Sequence, residues 1–344
     1  MRCTSRSRAP TPARSARNGH RRLGRQTVTM LRRPAPSTWG DRQHRFRHHP
    51  LLGTTVEIRV GSRASRRTAG RIDRVAVEEM LRLEQVFSIY RADSELERWK
   101  RGEVPVPSED LRSALALALG WQERSGGVFN TSSGTLTALW RLAEVRGVPP
   151  SQEEMAVAAA AVRDPQYRVE DGVPFIVGNP SGINLNAFVK GWIADRALAA
   201  ASMSAPDEDI VVNAGGDLCH RGASPIEVGI ENPLRPYDNE PPVARVRIAN
   251  GGLATSGLAR RGFRIDGRWY PHVIDPRTAA PVDTIASISV VASDAATADV
   301  VATIAGLLSP EQATDHCTAL GLACLVIDPT GRHWGNPAWA DLKA

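Results

Sequence analysis

The chain has 344 residues, 42% of them apolar, which is enough to bury the core of one large domain or two modest ones and excludes disorder over most of its length. No run of 18 or more apolar residues occurs, so a helical membrane span is excluded. The net charge of +6 is lopsided: residues 1–49 hold thirteen arginines against one acidic residue, an excess of +12, so the remainder carries −6. A nucleic-acid binder concentrates basic charge on a folded surface, and here the charge sits in a tail, so no nucleic-acid partner is expected.

Residues 1–49, rich in Arg, Ser, Pro and Ala and without a period, read as a disordered basic tail, followed by one folded domain over 50–340. Arg21-Arg22 opens a stretch superficially like a twin-arginine signal, but no apolar segment follows, so a cytoplasmic location is expected; Met30 is an alternative start. Cys3, Cys219, Cys317 and Cys324 form no metal-type spacing and read as buried small hydrophobes plus one tail thiol, suited to a reduced compartment.

The stretch 51–60 predicts a strand ending at a Gly-Ser turn. Ile72, Val75, Val77, Met80, Leu83, Val86 and Phe87 recur at roughly three- and four-residue intervals, which predicts a helix over about 68–88. Ser108 followed by Glu109 and Asp110 predicts a helix start, and Ser151 with Glu154 a capping box before an alanine-rich helix. Another helix is expected over 186–201. Short β-branched runs follow at 210–212, 226–230, 243–248 and 285–291. Beyond Asp294 come two helices, the second opening at Ser309-Pro310, and a last strand at 323–327. Helices and strands come in blocks without regular alternation, so the fold class is α+β, with a largely antiparallel sheet and flanking helices. A domain boundary near 170–180 is compatible with this order.

Four segments carry candidate chemistry. Asn213-Ala214-Gly215-Gly216-Asp217 follows a strand, and its two glycines allow a tight turn that brings backbone N–H groups against a ligand; taken alone, such a pair is more often an ordinary turn. Thr255-Ser256-Gly257 is followed by His272, Asp275, Arg277 and Thr278, an imidazole, carboxylate, guanidinium and hydroxyl within seven residues, fit to hold a pyrophosphate or to make a polar turn. Asp299 and Thr303 lie four apart, on one helix face, and offer the hard oxygen donors that Mg²⁺ takes; the alternative is a solvated helix start. Lys190, close to a predicted helix start, can neutralise phosphate, and Gly191 beside it suits close packing.

In order and spacing these segments resemble the ApbE family of flavin transferases. Asn213–Asp217 is similar to the family's GGD run, Ala254–Gly257 to its ATSG, His272–Thr278 to its H-I-I-D-P-R-T-G, and Asp294–Thr303 to its D-A-x-x-A-D-A-x-x-T. Upstream, Phe87-Ser88-Ile89-Tyr90 with Ser94-Glu95-Leu96, then Gly127-Val128-Phe129-Asn130-Thr131 with Leu139-Trp140, continue the likeness over about 50–335. The resemblance implies a Mg²⁺-dependent enzyme that moves FMN from FAD to a Thr or Ser hydroxyl of a client protein and releases AMP. It implies that the Ala187 carbonyl, Asp299 and Thr303 hold the metal. His272, Asp275 and Lys190 are then the catalytic candidates, and Asn213, Gly215, Gly216, Asp217, Thr255, Ser256, Gly257 and His272 line the FAD cleft. The chain departs from the pattern at Asn130 and Asn184, amides where the family has carboxylates, and at Ala279 where it has glycine. Two other activities fit the same residues: an FAD-binding protein without transfer, and an FAD pyrophosphatase that releases FMN and AMP.

Overall fold

The computed structural model describes residues 43–237, 239–257 and 261–344. In chain order its strands are β1 His44–Leu51, β2 Thr54–Val60, β3 Tyr167–Glu170, β4 Val173–Ile176, β5 Ile210–Ala214, β6 Asp217–Arg221, β7 Ile226–Ile230, β8 Ala244–Ile248, β9 Gly251–Gly257, β10 Gly262–Ile265, β11 Arg268–Pro271, β12 Ser287–Ala292, β13 Ala323–Ile327 and β14 His333–Gly335. Its α-helices are α1 Arg66–Phe87, α2 Glu95–Lys100, α3 Glu109–Arg124, α4 Ser133–Arg146, α5 Gln152–Val162, α6 Val189–Ser204, α7 Ala295–Ala305, α8 Pro310–Ala319 and α9 Pro337–Asp341. Eight strands form one sheet in the order β1-β2-β5-β6-β9-β12-β13-β14. Every neighbouring pair in it is antiparallel, as the α+β reading expects.

Because side chains alternate along a strand, the sheet has two distinct faces. Val56, Ile58, Val212, Ile288, Val290 and Val326 meet Ile72, Met80, Ala194, Ala197, Val300 and Ile304 from α1, α6 and α7 in the main core. On the opposite face Val211, Leu218, Leu253 and Leu325 pack with Ile226, Val246 and Trp339 from the β7–β8 hairpin and α9. The main core takes residues from both sides of 170–180, so no domain boundary falls there.

Capping chemistry sets several of the helix starts. Ser108 caps α3, and both Ser151 and Ser309 complete reciprocal capping boxes with Glu154 and Gln312. Two expectations need correction. Ordered structure begins earlier than the tail reading allowed, because 44–51 forms β1, whose basic side chains find partners: Arg47 bonds Glu57 at 2.9 Å and His48 bonds Asp73 at 2.7 Å. The rest of that tail, residues 1–42, lies outside the described residues. Helix α6 starts at Val189 and not at 186, because the Asn184 side chain accepts from the Asn186 N–H at 2.9 Å and holds the segment in a turn. Among the described residues no helix is long and apolar enough to cross a membrane.

Asn130, one of the amides that replaces a carboxylate, is 5% exposed and sits where the chain enters α4. Its Oδ1 accepts from the Ser132 N–H at 2.8 Å, and its Nδ2 donates to the Val162 carbonyl at 2.8 Å. A carboxylate cannot make the second bond, so the amide is matched to its surroundings. Asn130→Asp is expected to lower stability by about 1–3 kcal/mol at neutral pH. The buried acid would titrate above the ordinary Asp value of about 3.9, so the variant should be closest to wild type at acid pH, where the protonated acid can donate to Val162, and should lose stability as pH rises through its folded pKa. Urea titrations near pH 4 and pH 7 check this; equal stabilities at pH 7 would show that the Nδ2 bond is dispensable.

Candidate active site

The first glycine-rich segment is the turn between β5 and β6. Ala214 pairs with Asp217, and Gly215 and Gly216 between them have φ of 70° and 114°, conformations that favour glycine at both positions of a two-residue hairpin turn. At Gly215 there is a second constraint, since a Cβ there would sit 2.4 Å from the Thr54 hydroxyl. The two N–H groups are already used. Gly215 donates to the Thr55 carbonyl at 3.1 Å, and Gly216 donates to the Asn213 side chain at 2.9 Å. The expectation that these amides face a ligand is therefore replaced by another role: Asn213, Gly215 and Gly216 shape a turn that delivers Asp217. That carboxylate is 3% exposed and forms an ion pair with Lys190 in the first turn of α6.

Helices α6 and α7 pack antiparallel with three contacts spaced one turn apart. At one end the Thr303 hydroxyl donates to the Ala187 carbonyl at 3.2 Å. One turn on, the Gly191 N–H lies 3.4 Å from Asp299 Oδ2. One turn further, the two Asp195 oxygens accept from the Ala295 and Ala296 N–H groups, each at 2.9 Å. Gly191 permits this approach, since a Cβ there would sit 2.3 Å from the Ala295 carbonyl oxygen. Gly252 on β9 does the same from the sheet side, where a Cβ would sit 2.3 Å from Ala295 N. Of the three residues expected to act together, Thr303 meets Ala187 directly and Asp299 lies one turn away along the same junction.

Two buried acids, Asp217 and Asp299, lie beside one ammonium, Lys190, with the Arg261 charge also within reach. Burial raises the Asp299 pKa well above the carboxylate range and the Asp217 charge adds to it, against the pull of Lys190 and the Gly191 N–H. Burial alone would lower Lys190, but the carboxylates of Asp217 and Asp299 outweigh it and hold the ammonium charged.

His272 is exposed and lies within electrostatic reach of Lys190. Its N–H donates to the Arg261 carbonyl at 3.2 Å, and its ring Nδ1 lies 3.1 Å from the same oxygen. A carbonyl only accepts, so Nδ1 carries the proton and Nε2 keeps its lone pair in the neutral ring. Lost hydration lowers the His272 pKa, and the Arg261 and Lys190 charges lower it further against the carbonyl bond. The ring is therefore neutral at physiological pH.

Other expected residues are engaged elsewhere. Asp275 is 8% exposed, and its carboxylate is occupied by Arg277, through the backbone N–H at 2.8 Å and the guanidinium at 2.8–3.2 Å. It braces the turn after His272. The pleat divides the run Thr255-Ser256-Gly257: Thr255 pairs with Ser289 and their hydroxyls meet at 2.8 Å on the face away from α7, whereas Ser256 turns toward the end of α7 near Gly306. The two hydroxyls of the run therefore lie on opposite faces of the sheet. Asn184 orders the loop that presents Ala187, its backbone N–H also bonding the Thr131 carbonyl at 2.8 Å.

Two contributors were not singled out from sequence. Arg261 supplies the carbonyl that fixes His272, and no motif marks it. Asp195 closes the α6–α7 junction; burial raises its pKa to about 6 in spite of its two backbone donors. Its position, one turn after Gly191 and two turns after Ala187, was the available signal.

The signature of the ApbE family matches residues 52–326. A protein of Treponema pallidum named FAD:protein FMN transferase is 30% identical over 314 residues, covering 82% of this chain and 84% of the relative. One of the same name from Escherichia coli is 28% identical over 277 residues, covering 74% and 76%. The crystal structure of the ApbE protein from Thermotoga maritima superposes with a TM-score of 0.77 at 24% identity, over 88% of this chain and 99% of that one, and the flavin transferase ApbE from Vibrio cholerae with a TM-score of 0.68 at 24% identity, over 87% and 99%. With its six motifs in order, its antiparallel sheet and this match over most of its length, the chain belongs to the ApbE family.

Proposed function

We propose that this enzyme transfers FMN from FAD to a Thr or Ser hydroxyl of a client protein, releases AMP, and uses Mg²⁺ to do so. The names of the relatives support flavin transfer to protein. The observation that carries the metal reading is the contact of the Thr303 hydroxyl with the Ala187 carbonyl, with the buried Asp299 carboxyl one turn away on the same face of α7.

These residues fit the ion. All three supply hard oxygen donors, which Mg²⁺ prefers. The Ala187 and Thr303 oxygens are 3.2 Å apart, close to the about 3.0 Å edge of an octahedron with Mg–O bonds of about 2.1 Å. A cation beside Asp299 would also offset the unfavourable charge that Asp217 imposes on it. Bound there, Mg²⁺ would neutralise pyrophosphate charge and make adenylate a better leaving group.

The chain's own groups supply the remainder. Lys190, held by Asp217, adds a fixed positive charge beside the same site. His272 Nε2 is a free acceptor and takes the proton from the client hydroxyl as its oxygen forms the new bond to the FMN phosphorus. The bond from that phosphorus to the AMP oxygen breaks, and AMP departs with the electron pair. Asp275 and Arg277 keep the loop that carries His272 in place. The carboxylate lost at position 130 removes no base from this scheme, since the amide there is bonded at both ends within the protein.

Asp299→Ala should lower metal-dependent AMP release by about 10²–10³-fold, the loss expected when one element of charge stabilisation is removed, with the fold retained. Release at the wild-type rate would refute the metal assignment. His272→Ala should slow transfer by about 10²–10⁴-fold with FAD affinity kept. Because the His272 pKa is lowered, the wild-type rate should stay level as pH falls to about 6.5, the ordinary histidine value, and decline only below it. Mass analysis of a Thr-containing peptide after incubation with FAD and Mg²⁺ reads the product. An FMN adduct on the peptide is expected; free FMN with the peptide unchanged would favour the pyrophosphatase reading.

A further inference from the structure

The α6–α7 junction has one contact that no cation would consume. When a metal takes the oxygens of Ala187, Asp299 and Thr303, the hydrogen bond from Thr303 to Ala187 and that from Gly191 to Asp299 are the bonds it perturbs. The contact from Asp195 to Ala295 and Ala296 lies one turn away and stays whole.

The N–H donors of the first turn of α7 after its cap all have partners. Asp294 Oδ1 accepts from the Thr297 N–H at 2.7 Å, and the Asp294 carbonyl accepts from the Ala298 N–H at 3.2 Å. The remaining first-turn donors, Ala295 and Ala296, go to Asp195. Both alanines are buried, at 0% and 7% exposure, and Gly252 closes the sheet side of Ala295, so water is a poor substitute. Asp294 belongs to the helix it caps. Asp195 belongs to the other helix, and so its two bonds set where α7 sits along α6. Asp299 follows Ala295 by one turn and Thr303 by two, so a slide or rotation at Ala295 moves both away from the Ala187 carbonyl.

We propose that Asp195 is a positioning residue for the metal site: its bidentate grip on the start of α7 fixes the α6–α7 register and thereby the spacing of Ala187, Asp299 and Thr303. This rests on the metal reading above. The test is Mn²⁺ binding to the full chain in the presence of FAD, followed by electron paramagnetic resonance, for the wild type, Asp299→Ala, Asp195→Asn and Asp195→Glu. The amide of Asp195→Asn offers one acceptor for two donors, and Asp195→Glu keeps both acceptors on a longer arm. The expected result is a Kd for Mn²⁺ raised about tenfold in Asp195→Asn, about 1.4 kcal/mol, with AMP release recovering to within about twofold of wild type at saturating Mn²⁺. Asp195→Glu should fall between it and the wild type. A cap that serves only stability would lower the melting temperature and leave Kd alone. Wild-type Kd in folded Asp195→Asn or Asp195→Glu, or failure of both to fold, would overturn the proposal while Asp299→Ala still loses binding. Unchanged Mn²⁺ binding in Asp299→Ala would instead bring down the metal reading, and this proposal with it.

Discussion

The constraint on which the site depends is the register of α6 against α7. The two helices approach closely because Gly191 and the alanines at the start of α7 offer almost no side chain at the crossing, and Gly252 on β9 leaves room below. Contacts that repeat every turn leave few ways to shift one helix along the other without breaking all three. Burial then makes the polar contacts hard to replace by water. Such a junction holds a carbonyl, a carboxylate and a hydroxyl together even though they come from segments more than a hundred residues apart in sequence.

The sheet supplies the second half of the arrangement. The two-glycine turn between β5 and β6 places Asp217 at the start of a strand, directly against Lys190 on α6. Asp217 holds the lysine, and its charge adds to burial in raising the Asp299 pKa. Burying a carboxylate without full compensation is costly, and the raised pKa of Asp299 expresses that cost. The loop carrying His272 is braced by Asp275 and Arg277, and its ring lies within electrostatic reach of Lys190.

What could be read from the sequence was the local part. The serines at 108, 151 and 309 and Asp294 announce helix starts within three or four residues of themselves, and the long amphipathic α1 shows its period plainly. Helix α4 escaped because it begins without a side-chain cap and has a weakly sided pattern. Strand β1 escaped because its arginines and histidines hide the alternation, their charge being met by Glu57 and Asp73 on other elements. In the candidate site, the order of motifs indicated which residues belong together. It did not indicate that Gly215 and Gly216 spend their amides on Thr55 and Asn213, or that Thr255 points away from Ser256. Asp195 lies 100 residues from Ala295, so its spacing from Gly191 marks its face of α6 and not its partner.

The central claim is that the α6–α7 junction holds a divalent cation against the phosphates of FAD. Anomalous diffraction from crystals grown with FAD and Mn²⁺ tests it most directly. The account predicts an anomalous peak bounded by the Ala187 carbonyl, Asp299 and Thr303 and touching the pyrophosphate. A fully occupied dinucleotide whose metal peak lies elsewhere, with Thr303 still bonded to the Ala187 carbonyl, would contradict it.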